Sequence, residues 1–372
     1  MTKKVLLVDD SALMRRLMSD IIEEDEQLTI ADTAKNGLNA IELLMTGKKF
    51  DLVLLDLKMP KMDGVTFLRE LKKTKIQVPV LVVSSIAGET GKETIEALEL
   101  GAFDFVKKPT DHVGESFMVF RRELLLRARC ACGLKTDMME QKSSVQPAPR
   151  RGRQEEAKEA RALSGSAFPA EPTRTLPARK GDKLVVIASS TGGPKALQSV
   201  IPMFPASFPY PIVVVQHMPV GFTASLASRL DELSPLHVKE AEDGELLKKG
   251  YIYIAQGGKQ CELIQQAAGR YIFSENDKPA RGGLRPCADI FFESLVSTSL
   301  EEVICGVLTG MGADGSKGIQ AVKACKKVKV VAQDEATCVV YGMPRAAKML
   351  GVVDDMVPLK DVAGMMMKKV GV

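Results

Sequence analysis

The sequence predicts an α/β protein built from two doubly wound parallel-sheet domains joined by a flexible linker. Three observations carry this expectation: short apolar runs alternate with amphipathic helical patterns over residues 1–130, the alternation stops over residues 131–182, and it returns over residues 183–372. A chain of 372 residues is also longer than one hydrophobic core usually serves. With 45% hydrophobic and 26% charged residues, the composition is that of folded globular domains and not of a disordered chain.

In the first segment Val5 to Val8, Leu52 to Leu55, Val80 to Val83 and Phe103 to Val106 read as strands. Leu13, Leu17 and Ile21 beside Met14, Met18 and Ile22 mark a helix. This βαβ rhythm implies a parallel sheet covered on both faces. The linker holds Pro147, Pro149, Pro169, Pro172 and Pro177 among Arg, Glu, Ser and Ala, with room for a short helix in RRGRQEEAKEARAL. Forty-odd flexible residues span roughly 35 Å r.m.s., so the linker alone sets no domain orientation. In the second segment Leu184 to Ala188, Ile212 to Gln216, Tyr251 to Ala255, Ile304 to Leu308 and Val328 to Val331 read as strands of a second α/β sheet.

The charge balance excludes some partners. Fifty-one basic against 47 acidic residues leave +4, too small and too dispersed a surplus to indicate nucleic acid or an anionic membrane. Asp9 and Asp10 interrupt the first apolar run, and no stretch approaches the roughly 18 apolar residues of a spanning helix, so a cytoplasmic protein without membrane insertion is expected. The seven cysteines are scattered without C-x-x-C spacing and read as reduced, mostly buried thiols.

Open α/β sheets place their sites at the carboxyl ends of strands. Asp9 and Asp10 follow the first strand, Asp56 ends VLLD, Ser84 ends VLVVS, and Lys108 follows DFVK. Clustered carboxylates suit a hard cation such as Mg²⁺, with Asp56 the natural nucleophile toward a phosphoryl group and Ser84 and Lys108 placed to meet its oxygens. Any one of these aspartates alone reads equally as a helix cap. Together VDDS, LLDLKMPKMDG, VVSS and VKKP resemble the receiver domain of bacterial response regulators, a flavodoxin-like fold, over about 120 residues. The resemblance implies that Asp56 accepts phosphate from a histidine kinase and that Asp9, Asp10, Asp56 and the Lys58 carbonyl bind Mg²⁺. It further implies that Ser84 and Lys108 sense the phosphate and that Phe105 is the aromatic switch residue.

The second domain opens with VVIASSTGGPKAL, whose glycines permit a tight turn into a helix begun by Pro194. Ser190 then lies at a strand end near a helix N-terminus, where developing negative charge is stabilised. The string lacks both the P-loop ending and G-x-G-x-x-G. Of the three histidines, His217 ends the strand IVVVQ on the same sheet edge, whereas His112 lies beyond the last receiver strand and His237 falls in a polar loop. Asp314 in GVLTGMGADGSKG follows a further strand and is the candidate to orient His217. Placement alone leaves a hydrolase and a structural histidine equally open.

ASSTGGP, QHMP, LTGMGADG and AQDEATCVVYGMPRAA, all following a receiver, resemble the CheB family, the protein-glutamate methylesterases of bacterial chemotaxis. The resemblance implies a Rossmann-like methylesterase domain with Ser190 as nucleophile, His217 as general base, Asp314 as orienting acid and no cofactor in that site. It also implies the Met311 N–H as oxyanion donor, with Thr191 helping to orient the histidine. The partners it implies are methyl-accepting chemotaxis receptors as substrate and a CheA-type histidine kinase as phosphodonor; the reactions are ester hydrolysis and glutamine deamidation. Two strings depart from the family pattern: Gln260 stands where A-P-G-x-x-H ends in histidine, and Leu284 and Cys287 replace the first and last residues of H-R-P-S. These departures bear on substrate choice. The rival reading is a catalytically silent, phosphorylation-controlled binding module.

Overall fold

The computed structural model describes residues 2–85, 90–111, 113–135 and 179–372. His112 and the helix allowed within RRGRQEEAKEARAL lie outside the described residues.

The first domain runs β1 (Lys3–Val8), α1 (Ala12–Ile22), β2 (Leu28–Ala34), α2 (Gly37–Met45), β3 (Leu52–Asp56), α3 (Gly64–Lys73), β4 (Val80–Ser84), α4 (Thr90–Glu99), β5 (Asp104–Lys107) and α5 (Glu115–Ala131). The strands pair in parallel in the order β2-β1-β3-β4-β5. Both faces are covered, so the inner strands are apolar without alternation: Val5 to Val8, Leu52 to Leu55 and Val80 to Val83 are all buried. Ser11, Asn36 and Asp63 cap α1, α2 and α3 by accepting from backbone amides three residues on. The edge strand β2 escaped the sequence reading because LTIADTA is interrupted by polar residues and only its two ends are buried. The order reverses between β1 and β3, which opens a crevice at their carboxyl ends.

The second domain runs β6 (Arg179–Ser189), α6 (Gly193–Val200), β7 (Ile212–Gln216), α7 (Phe222–Leu233), β8 (His237–Glu240), β9 (Tyr251–Ile254), β10 (Gln260–Gln265) and β11 (Tyr271–Asn276). It continues through α8 (Ala288–Leu295), β12 (Leu300–Val307), α9 (Ser316–Lys323), β13 (Lys327–Gln333), α10 (Met343–Met349), β14 (Asp355–Val357) and α11 (Val362–Val370). Its main sheet is parallel in the order β14-β13-β12-β6-β7-β9-β8. β6 lies between β7 and β12, so the chain leaves its first strand one way and returns to the other side. The carboxyl ends of β6, β7 and β12 therefore share one crevice.

Two features depart from the sequence expectation. His237 is not in a loop but begins the edge strand β8, exposed, with its ring 5.3 Å from that of Tyr251. The antiparallel hairpin β10–β11, with Cys261 opposite Glu275, was not foreseen. Burial pushes the Glu275 carboxyl up to about 7, above its ordinary value. The folded state thus holds that proton more tightly than the unfolded chain, and stability is lost as pH rises from the unfolded value toward 7. Glu275→Gln is expected to raise the unfolding free energy at pH 8, by at most about 3 kcal/mol and with it the urea midpoint, and to leave both unchanged near pH 4. Equal midpoints of wild type and variant at pH 8 would contradict this.

The two domains touch through α4, β5 and α5 of the first and α7 and the crevice loops of the second. The Phe105 ring lies 4.6 Å from that of Phe222, and Arg229 Nε is 2.6 Å from Glu99 Oε1. One buried apolar cluster runs through both domains, including Leu55, Val82 and Phe105 on one side and Phe222, Leu226 and Leu230 on the other. Among the described residues no helix is long and apolar enough to cross a membrane.

Candidate functional site

At the crevice of the first sheet, Asp9 is fully buried, Asp56 is nearly so, and Asp10 is exposed. Lys108 Nζ bridges the buried pair, 2.8 Å from Asp9 Oδ2 and 2.7 Å from Asp56 Oδ2. Burial pushes the Asp56 carboxyl above its ordinary value, and the Lys108 charge only partly offsets this. Burial works against the Lys108 ammonium as well, but Asp56 and Asp9 together hold its pKa up. Carboxylate oxygens of Asp9, Asp10 and Asp56 all lie within 4.8 Å of one another. Three oxygen donors gathered this closely are of the kind that could hold a hard cation such as Mg²⁺.

Ser84 and Phe105 lie on the neighbouring strands β4 and β5. Ser84 ends β4 with its hydroxyl buried, accepting from Thr94 Oγ1 at 3.1 Å. Phe105 points away from solvent on β5 and packs on Phe222 of the second domain, a partner that no periodicity within the receiver could have indicated.

In the second domain Ser190 follows β6 and His217 follows β7, with the His217 N–H donating to Ser189 O at 3.0 Å. Asp314, beyond β12, meets the imidazole: His217 Nε2 and Asp314 Oδ2 are 2.7 Å apart. Burial works against the Asp314 charge, but His217 and the Cys287 and Asp289 donors hold its carboxyl well below the ordinary range. With Asp314 on Nε2, the neutral imidazole carries its proton there, and Nδ1 is the nitrogen left to accept one.

Close backbone approach explains the glycines. Gly192 takes the left-handed conformation at φ +76°, and a Cβ on Gly310 would stand 2.8 Å from the Ser190 Cβ. The Gly310 to Gly312 backbone, including Met311, therefore runs alongside the serine, while Thr191 is buried with its carbonyl accepting from Thr309 Oγ1 at 3.0 Å.

Sequence reasoning missed the residues that tie these strand ends together. Gln216 is buried; its Oε1 accepts from Ser189 Oγ at 2.6 Å, and its Nε2 donates to Ser190 O at 3.0 Å and His217 O at 3.1 Å. Gln333 does the same on the other side, accepting from the Thr309 N–H at 2.8 Å. A polar residue ending an apolar strand was the available signal in both cases.

The departures from the family pattern separate in the structure. Gln260 does not face the crevice: it is fully buried, donates to Pro279 O at 3.2 Å and Leu284 O at 3.1 Å, and accepts from the Cys287 N–H at 3.0 Å. Leu284 is half-buried and lines a cleft with Ser190, His217 and Met311. The opposite wall of that cleft is α5 of the first domain, through Arg122, Glu123, Leu126 and Arg127.

Residues 5–113 match the response regulator receiver domain family, and residues 185–366 match the CheB methylesterase family. A protein-glutamate methylesterase/protein-glutamine glutaminase of Syntrophomonas wolfei is 39% identical over 97% of both chains. The chain belongs to that family. A Bacillus subtilis relative of the same name is 40% identical over 97% of this chain and 96% of its own. The Thermotoga maritima CheB methylesterase catalytic domain is 44% identical, covering 50% of this chain and 98% of that one at a TM-score of 0.49. This receiver-linked methylesterase thus carries the motifs of both families in the order read from its sequence.

Proposed function

We propose that the chain is a phosphorylation-controlled hydrolase that removes methyl groups from glutamate side chains of methyl-accepting chemotaxis receptors, releasing methanol, and deamidates receptor glutamines. The observation that carries the reading is the 2.7 Å contact between His217 and Asp314 on the sheet edge that also ends in Ser190. In this reading Ser190 Oγ attacks the ester carbonyl carbon while His217 takes its proton at Nδ1. The Met311 N–H and the N-terminus of α6 receive the negative charge that develops on the carbonyl oxygen. His217 returns the proton to the departing methoxide, and water then repeats the sequence on the glutamyl ester to give glutamate. A glutamine offers the same acyl group with ammonia leaving. Thr191 steadies the histidine.

The receiver occupies residues 1–130, the linker 131–182 and the hydrolase 183–372, with β6 beginning at Arg179. Asp56 accepts the phosphoryl group from a CheA-type histidine kinase. Asp9, Asp10, Asp56 and the Lys58 carbonyl would hold Mg²⁺, which neutralises charge on the incoming phosphoryl oxygens. Ser84 and Lys108 then meet those oxygens, and Phe105 relays the change to Phe222. A silent binding module is the weaker reading, because it leaves Ser190, His217 and Asp314 assembled without use. The test is to incubate the protein with methyl-labelled receptor fragments and measure released methanol with and without a small phosphodonor. Stimulated release is expected, and a folded protein that releases none overturns the reading.

A further inference from the structure

The two oxygens of Asp314 collect four donors at the N-terminus of α8. Oδ2 accepts from His217 Nε2 at 2.7 Å and from the Ala288 N–H at 2.6 Å. Oδ1 accepts from the Asp289 N–H and from the Cys287 thiol, both at 3.0 Å. Two of these donors are amides that any helix start exposes, and one is the base itself. The fourth is a side chain that the backbone does not require. Cys287 makes no side-chain cap to its own helix and is 1% exposed. Burial and the neighbouring Asp314 charge push its thiol up to about 12, so it stays a protonated donor. Its N–H is fixed in turn by Gln260 Oε1.

We propose that Cys287 is a positioning residue for ester hydrolysis: its S–H, held in place through Gln260, pins the Asp314 oxygen turned away from His217 and so sets how the other oxygen grips the imidazole. The inference rests on the triad reading given above. A carboxylate shares one charge between two oxygens, and a donor on Oδ1 weakens Oδ2 as an acceptor. Without the thiol, Oδ1 keeps a single donor, the carboxylate is less firmly oriented, and Oδ2 favours the protonated imidazole more strongly. Hydrolysis then slows, and its acidic limb moves to higher pH. A serine hydroxyl, a stronger donor than a thiol, acts in the opposite direction. The other charged groups around this site are Asp289 and Glu293 on α8, Arg281 paired with Glu293, and Arg122, Glu123 and Arg127 on α5, all unchanged between such variants.

The test uses the full-length protein, supplied with a small phosphodonor and a methylated receptor fragment. Cys287→Ala is expected to lose about tenfold in kcat with KM unchanged, its acidic limb displaced upward by about half a pH unit. Cys287→Ser should recover kcat, with its limb at or below that of wild type. Superimposable pH profiles for the three proteins would overturn the proposal. Ser190→Ala run in parallel separates the two readings, since residual turnover there indicts the triad and not Cys287. If Cys287→Ala does not fold, the infrared S–H stretch in the difference spectrum of wild type minus Cys287→Ser decides: a band lowered by hydrogen bonding supports the role, and a free-thiol band overturns it.

Discussion

Ser190→Ala is expected to lower receptor demethylation by about four orders of magnitude or more while leaving the circular dichroism spectrum unchanged. The serine is held by backbone, through its N–H to Thr309 O and its carbonyl to Gln216, so losing Oγ removes the proposed nucleophile and little of the fold. His217→Gln should come close to the same loss, because no other described histidine reaches this crevice: His237 begins β8 on the far edge of the sheet. Asp314→Asn tests the tautomer. An amide can present its NH₂ to Nε2 and so favour the proton on Nδ1, where it blocks acceptance from serine. A loss of several orders of magnitude with normal substrate binding is expected, and near-normal hydrolysis by purified Ser190→Ala would remove the assignment altogether.

Residues 179–372 alone are expected to hydrolyse methylated receptor roughly tenfold to a hundredfold faster than the unphosphorylated full chain. The cleft beside Ser190 and His217 has α5 of the receiver as one wall, so in the proposed reading the receiver stands where methylated receptor must enter. A closed arrangement favoured by about 2.7 kcal/mol leaves roughly 1% of molecules open. In the proposed reading, phosphorylation of Asp56 acts on the same equilibrium by drawing in Ser84 and Lys108 and disturbing Phe105, which is packed on Phe222. Asp56→Asn should therefore take up no phosphate from a small phosphodonor with Mg²⁺ and remain at the unstimulated rate. Equal rates for the fragment and the unphosphorylated full chain would show that the receiver does not restrain the hydrolase.

What the sequence made legible follows from where information is local. Runs such as LVLLD and IVVVQ are buried on both faces, so their apolar character marks the strand and its end marks the edge of the sheet. Asp9, Asp56, Ser190, His217 and Asp314 could be placed at or beyond strand ends in this way. Edge strands could not: β2 and β8 carry polar residues on open faces, and β10–β11 belongs to a hairpin whose partner lies in its own loop region. Contacts between domains were equally silent, because nothing in the spacing of α4 or α7 states that Glu99 will meet Arg229. Gln260 shows the remaining difficulty. Read as a string it is a lost histidine near substrate; folded, it is a buried bracket for the Cys287 segment.

The joining of the two cores through Phe105 and Phe222 has a thermal consequence. Separating the domains must wet apolar surface that is dry in the closed form, so opening carries a positive heat-capacity change. Apolar contacts weaken on cooling. The unphosphorylated enzyme's leak, expressed as a fraction of the rate of residues 179–372 at each temperature, should then follow a curved rather than straight Arrhenius line, with restraint slackening in the cold. An enzyme that erases a stimulus record would in that case lose some of its dependence on the kinase whenever the cell is chilled.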